Sequence, residues 1–293
     1  MHPFPRPDIV GVSPPPHRSQ VPTKTPATLR IAPAPDDPRL TRAVTGRDQS
    51  GAVVDLRVVE ERPLTIYLNS REIVTAMTIG DHPEWLGLGF LVNQGMVRGT
   101  DMVTGIDFDA EAEAVVVRTA VETDHEARLA RATRTSGCAV GTVFGDMMEG
   151  LEGLALPPTP LRVADLRALS AAIARTPSLY LEAGAIHGTC LCRGPDPLAY
   201  FEDVGRHNAV DKLAGWMRVE GVDPSDKTLF TTGRLTSEMV IKCALMGIPA
   251  LVSRSGFTAW GVEIARRVGL TVIGRMKGER FVCLSGEERV VWA

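Results

Sequence analysis

The sequence predicts an α/β protein that binds its ligand at the carboxyl edge of a mostly parallel sheet. Between Leu198 and Gly274 one unit repeats three times: an apolar strand, a short turn carrying Gly and Arg, and an amphipathic helix. The turns read Asp203-Val204-Gly205-Arg206-His207-Asn208, Thr231-Thr232-Gly233-Arg234 and Ser253-Arg254-Ser255-Gly256. Gly247 and Gly269 stand where C′ glycines would end the intervening helices. Open α/β sheets bind ligands outside the carboxyl ends of their strands, and a helix N-terminus favours anions. One such turn could be a plain glycine turn with a surface arginine. Three in register suit a ligand with several phosphates, such as a nucleotide-bearing cofactor.

The remaining elements follow in order. Residues 1–48 hold more than half of the 21 prolines and little apolar periodicity, which predicts a disordered extension whose loss would leave the fold intact. Strands are expected at Ala52–Val59, Leu64–Leu68 and Ile73–Thr78, with Asn69-Ser70 turning the last pair. Asp81-His82-Pro83-Glu84 reads as a helix start, with Asp81 as cap and Glu84 completing a capping box. Leu86, Phe90 and Asn93 share one face, Gly87 and Leu91 flank it, and Gly95 ends the helix. Strands at Met102–Phe108 and Ala114–Thr119 complete a smaller α+β region over 49–130.

From 131 to 157 the pattern breaks into a glycine-flanked loop, Thr135-Ser136-Gly137-Cys138-Ala139-Val140-Gly141. A functional loop between ordered regions reads this way. Thr159-Pro160 opens a helix with Leu166, Leu169 and Ile173 at helical spacing, and strands are expected at Leu179–Glu182 and Gly188–Arg193. Residues 158–293 then form the larger α/β domain, ending in strands Leu270–Ile273 and Arg280–Leu284.

Composition narrows the function classes. A formal net charge of -3 argues against general nucleic-acid affinity. No apolar run approaches a membrane span, and the N-terminus lacks a secretory pattern. The five cysteines are odd in number and scattered, which fits a reducing cytoplasm better than a disulfide framework.

Cys138 is the candidate nucleophile, because Arg131 and Arg134 lie just upstream and cations favour the thiolate. Cys190 and Cys192 share one strand face and lack a second ligand pair at zinc spacing, so they read as core. Cys243 and Cys283 read as core too. His187, between Ile186 and Gly188, could serve a site or be structural. His207 opens a helix beside Arg206 and Asn208, where an imidazole could donate to phosphate or to a ring edge. Lys212 could reach the same anion or be solvated.

The run from Asp203 to Lys212 resembles the formate dehydrogenase accessory sulfurtransferase family. Glu61–Asn69, Leu88–Gly95 and Thr232–Val240 with Lys242 resemble it in the same order, and the likeness spans 53–291. It implies a cytidine deaminase-like three-layer α/β domain, usually in a homodimer. It implies a protein that takes sulfur from a cysteine desulfurase, in the cytoplasm that the cysteine usage already suggests. The sulfur goes to a molybdenum or tungsten bis-molybdopterin guanine dinucleotide, bound as substrate, which formate dehydrogenase needs. Cys138 is then the persulfide carrier. The expected contacts to this guanine nucleotide-bearing cofactor are His187, Asp203, Gly205, Arg206, His207, Asn208, Lys212, Gly233, Arg234, Ser237 and Arg254, with the run Phe281-Val282-Cys283-Leu284-Ser285-Gly286.

One departure stands out. The family pairs two loop cysteines as C-x-x-C, whereas Gly141 fills the second position here. One thiolate suffices to accept and donate sulfur, but a relay or disulfide-protected state is lost. A non-catalytic cofactor carrier or chaperone is therefore the alternative. A nucleotide-acting hydrolase or deaminase is a third reading. The H-x-E and P-C-x-x-C zinc pattern of deaminases is absent, so no zinc is expected.

Overall fold

The computed structural model describes residues 29–98, 101–120 and 148–292, together with the short strands at 133–134 and 141–142. In chain order the first elements are β1 (Arg30–Ala32), a 3₁₀ turn (Pro38–Leu40), β2 (Thr41–Arg47), β3 (Val53–Val59), β4 (Arg62–Leu68), β5 (Arg71–Thr78), α1 (Pro83–Asn93), β6 (Val103–Asp109) and β7 (Ala114–Thr119). The two-residue strands β8 (Thr133–Arg134) and β9 (Gly141–Thr142) pair with each other. There follow β10 (Leu161–Arg162), α2 (Val163–Arg175), α3 (Leu179–Ala183), β11 (His187–Arg193), β12 (Asp196–Asp203), α4 (Arg206–Glu220), β13 (Thr228–Thr231) and α5 (Ser237–Leu245). The chain ends with β14 (Ala250–Ser253), α6 (Ala259–Val268), β15 (Thr271–Lys277), β16 (Arg280–Ser285) and β17 (Val290–Val291).

The α/β class holds. A seven-stranded sheet runs β1-β12-β11-β13-β14-β15-β16, with β13, β14 and β15 parallel. Strand β11 is antiparallel to both β12 and β13, so those two run in the same direction although they do not touch. The carboxyl ends of β12, β13 and β14 therefore share one edge, and the first residue of β11 joins them there. One core packs Val210 and Leu213 of α4, Met239 and Val240 of α5 and Ile264 of α6 with Phe201, Leu229 and Leu251 of the sheet. A second packs Leu166, Leu169 and Ile173 of α2 with Tyr200, Phe230 and Val252. Alternating strand residues thus serve opposite faces, as the pleat requires.

A four-stranded sheet, β5-β4-β7-β6, lies outside α1. Leu86 and Leu91 of α1 pack on Ile66 and Val115 of this sheet. The opposite side of α1 meets α4 at two glycines. A Cβ on Gly89 would fall 1.7 Å from the Asp211 carbonyl oxygen, and one on Gly215 would fall 2.0 Å from that of Trp85. The two backbones touch only because neither residue has a side chain. So α1 is buried on both sides, which is why it shows no clean apolar stripe.

Four expectations need correction. The disordered stretch was expected to run to residue 48, yet β1 and β2 fall inside it, and Ala32 and Leu40 are buried. A three-residue strand added parallel to β12 takes its order from its neighbour and needs no periodicity of its own. Deleting residues 1–45 would therefore remove core; residues 1–28 lie outside the described ones. The segment at Leu179 is a helix, capped by Ser178, whose side chain accepts from the Tyr180 N–H. The second-domain helix starts at Val163 after Arg162, not at Thr159-Pro160. Finally, Asp81 does not cap α1. His82 holds that position at φ 45°, and the Asp81 carboxylate is engaged by Lys212 and His82.

Candidate functional site

The three turns are built alike. Each strand ends in a polar side chain whose oxygen accepts a hydrogen bond from the backbone N–H two residues on. Asp203 Oδ1 accepts from Gly205 N at 3.2 Å, Thr231 Oγ1 from Gly233 N at 3.1 Å, and Ser253 Oγ from Ser255 N at 2.9 Å. These local bonds are the Asx and hydroxyl turns that Asp, Thr and Ser favour. The residue next to each capped N–H is an arginine: Arg206, Arg234 and Arg254.

The turns also hold one another. The Ser253 hydroxyl donates to the Gly233 carbonyl at 2.6 Å. A Cβ on Gly233 would lie 2.9 Å from the Arg206 Cβ, so the second turn presses on the first. His187 stands at the same edge, level with Asp203, its Nδ1 3.2 Å from Thr232 Oγ1. Burial pushes the His187 pKa down, and the Arg206 and Arg234 guanidiniums push it further. His207 is buried at 3% exposure, and its pKa is pushed down to about 2 by burial first, then by Lys242, Arg206, His187 and Arg234. The imidazole is therefore neutral, and the positive charge at this edge comes from the guanidiniums. Neither ring nitrogen of His207 has a hydrogen-bond partner among the described residues; Glu238 Oε2 is 3.5 Å from Nε2.

Behind this edge lie two buried ion clusters. Asp203 Oδ2 pairs with Lys212 Nζ at 2.6 Å and accepts from Thr78 Oγ1 at 2.6 Å. Lys212 also pairs with Asp81, and Asn208 Nδ2 donates to Asp203 Oδ1 at 3.0 Å and to the Met77 carbonyl at 2.7 Å. Burial lowers the Lys212 pKa, but Asp203 and Asp81 outweigh it and hold the ammonium above its ordinary value. In the second cluster Lys242 Nζ pairs with Asp211 at 2.8 Å, and Asn93 Nδ2 donates to the same carboxylate at 2.7 Å. Both clusters tie α4 and the sheet to the N-terminal region.

The expected site residues divide accordingly. His187, Gly205, Arg206, His207, Gly233, Arg234 and Arg254 come together at the carboxyl edge, and Ser237 begins α5 just beyond it. Asp203, Asn208 and Lys212 lie behind that edge and pair with one another. Their side chains are buried and spent on each other, because a buried carboxylate needs a cation and hydrogen bonds. Phe281 and Val282 sit on the outermost strand at the level of Ser253, two strands away, and Cys283–Gly286 run back toward the amino end of β15. Cys283 Sγ lies 3.3 Å from the Ser285 carbonyl oxygen, and the Ser285 hydroxyl donates to the Leu270 carbonyl. Cys138 lies outside the described residues, and only the backbone of Gly141 falls within them. Cys190, Cys192 and Cys243 are buried. Thr232, Glu238 and Lys242 belong to the arrangement but were not singled out as site residues. Their signal was the spacing of α5, which puts 238 and 242 on one face.

On the α2 side, a cavity of about 300 Å³ opens beside His187, Thr232 and Arg254. Among the described residues no helix is long and apolar enough to cross a membrane.

The chain is similar to known proteins over most of its length. A sequence model of the FdhD/NarQ family matches residues 59–291. The sulfur carrier protein FdhD of Chromobacterium violaceum is 35% identical over 237 residues, 77% of this chain and 87% of the relative. That of Bacillus subtilis is 28% identical over 240 residues, 81% of this chain and 91% of the relative. A crystal structure assigned as a formate dehydrogenase accessory protein from Desulfotalea psychrophila superposes with a TM-score of 0.69 at 28% identity, covering 86% of this chain and 98% of that one.

Proposed function

The chain belongs to the FdhD/NarQ family, and from that premise we propose that it carries sulfur for the maturation of formate dehydrogenase. The substrate is a molybdenum or tungsten bis-molybdopterin guanine dinucleotide, held by its phosphates at the arginine turns on a cytidine deaminase-like body. The observation that carries this reading is the gathering of Arg206, Arg234 and Arg254 on three like-built turns. Convergent guanidiniums and helix starts are the chemistry that recognises pyrophosphate.

Cys138 supplies the sulfur step. Its thiolate attacks the outer sulfur of a persulfide on a cysteine desulfurase. The desulfurase leaves as a thiolate, and Cys138 becomes the persulfide that is presented to the cofactor. The protein acts in the cytoplasm, as a homodimer, between the desulfurase and formate dehydrogenase. Gly141 supports a second reading, a cofactor carrier without sulfur chemistry, since the paired thiol is missing.

One experiment separates these readings and a second tests the phosphate site they share. Peptide mapping after incubation with desulfurase and cysteine is expected to show a gain of about 32 Da on Cys138. A gain on another cysteine moves the sulfur step away from Cys138, whereas no gain at all, or an active formate dehydrogenase made with Cys138→Ser, favours the carrier. Calorimetry with GDP tests the phosphate site. Arg206→Ala and Arg234→Ala are each expected to cost about 1.5–3 kcal/mol of affinity. Unchanged affinity in both removes the phosphate reading.

A further inference from the structure

We propose that the groove between α2 and the β15–β16 turn is a docking site for a partner protein, which lays an extended acidic segment with one apolar side chain into it. The sulfur and phosphate chemistry described above does not depend on this surface.

The groove measures about 590 Å³. One wall is α2, where Arg167, Ala171 and Ala174 follow one another along an exposed face. The other wall is the turn Lys277-Gly278-Glu279. From Arg167 to Ala174 the helix advances about 10 Å, the span of about three extended residues. Met276 lies beneath, buried against α2.

The strand is bent to make this floor. Ile273 and Met276 both pack in the core under α2, although a regular strand turns residues three apart to opposite faces. A register shift between Gly274 and Lys277 supplies the extra residue. Arg275 takes it up at φ 56°, a left-handed conformation that strains a residue with a side chain, and the Ser255 carbonyl holds its N–H at 2.7 Å.

Charge points to the occupant. Arg254, Arg275, Lys277 and Arg280 are exposed, and none of them makes an ion pair among the described residues. Lys277 and Arg280 are direct cross-strand partners, and like charges placed so oppose the pairing of their strands. The chain as a whole carries a formal charge of -3, so this is a local excess of positive charge. An anionic partner relieves the repulsion and is steered toward it. The chain already offers a carboxylate of its own: Glu279 reaches toward Arg167 at 3.8 Å, with the two side chains 77% and 51% exposed. So exposed a pair holds weakly, and a partner's carboxylate can take the place of Glu279. Ala171, Ala174 and Met276 add an apolar floor that charge alone does not satisfy. An apolar side chain between acidic ones fits both the floor and the rim, whereas inorganic polyphosphate has no group for the floor.

The test is fluorescence anisotropy on the full chain with a labelled peptide, acetyl-Glu-Asp-Leu-Glu-Asp-amide. Its controls are the counterpart with Gln and Asn for Glu and Asp, and the form with Gly for Leu. The acidic peptide is expected to bind at least about tenfold more tightly than the neutral counterpart and about threefold more tightly than the Gly form. Lys277→Glu should weaken it by about tenfold, and Glu279→Gln should tighten it by about threefold. Ala171→Trp fills the groove from an exposed position and keeps every charge; it should weaken the peptide by about tenfold and leave GDP within about twofold. The proposal is overturned if the parent does not bind the acidic peptide, or binds the neutral counterpart as well. It is also overturned if Ala171→Trp binds the peptide as the parent does, since the attraction is then only that of a basic surface. Tripolyphosphate that binds more tightly than the peptide, and is lost with Lys277→Glu, would make the groove a phosphate site instead. Equal loss of GDP and peptide in Ala171→Trp would merge the groove with the arginine turns and overturn it too. If GDP fails to bind the parent while the peptide binds and Ala171→Trp blocks it, the phosphate reading falls and the docking site stands.

Discussion

The first and third turns share one local design and differ in what stands behind it. Asp203 closes the first turn with a carboxylate; Ser253 closes the third with a hydroxyl. Both are fully buried. A hydroxyl can be buried once its hydrogen bonds are made, and Ser253 makes both within the site, one to Gly233 and one from Ser255. A buried carboxylate must also be neutralised. Asp203 therefore recruits Lys212 from α4, Thr78 from β5 and Asn208, and Lys212 in turn takes Asp81. The charge of one capping residue ties the larger sheet to the N-terminal region. Among the described residues the third turn shows no such tie. It keeps an exposed arginine beside the cavity, whose guanidinium lies over the Phe230 ring.

The largest effect should come from breaking the tie. Lys212→Met leaves Asp203 and Asp81 facing each other without a cation, and removal of one partner from a buried pair costs about 3–5 kcal/mol. Urea unfolding measures it. Adding Asp203→Asn to Lys212→Met should recover part of the loss, because it removes one of the orphaned charges. A double variant no more stable than Lys212→Met would mean that charge is not what binds the regions together.

Acid should strike the same edge through His207. Burial first, and then Lys242, Arg206, His187 and Arg234, push its pKa down to about 2 from an ordinary 6.5. Its contribution is therefore present in full above pH 6.5 and is lost as pH falls below that value. The parent should lose up to about 1.4 kcal/mol per pH unit there beyond what a His207→Gln variant loses. Parallel stability curves for the two proteins between pH 6.5 and 4 would contradict this assignment.

How much of this could be read from the chain follows the same division. The repeated turns were legible because each is local: Asp203, Thr231 and Ser253 act on residues two positions away. Lys212 and Asp81 are 131 residues apart, and nothing at either position announces the other. Lys212 read as an anion ligand or a solvated cation because its charge shows in the sequence and its burial does not. Strand β1 was missed because its order comes from β12, and α3 because five residues are too few for a helical period to appear. The cavity was illegible for a related reason. Ser178, Tyr200 and Gly188 come from three separate segments and meet only in the folded sheet.

The smaller effects belong to the third turn. Ser253→Ala removes both bonds of a buried hydroxyl and should cost about 1–2 kcal/mol, less than Lys212→Met because no charge is stranded. Arg254→Ala is the smallest for stability. The side chain is exposed and its recorded neighbour is the Phe230 ring, with the guanidinium 5.8 Å from the centroid. Exposed substitutions away from buried networks change stability by about 0.5 kcal/mol or less. Yet Arg254 borders both the turns and the cavity, so its loss should weaken GDP binding by about tenfold while the urea midpoint hardly moves. Lys212→Met should show the reverse proportion, a large loss of stability and a GDP affinity that is little changed in the fraction still folded. Measuring both quantities on both variants sets scaffold against ligand contact. If Arg254→Ala unfolds the protein as readily as Lys212→Met, the third turn is as structural as the first, and the contrast between them disappears.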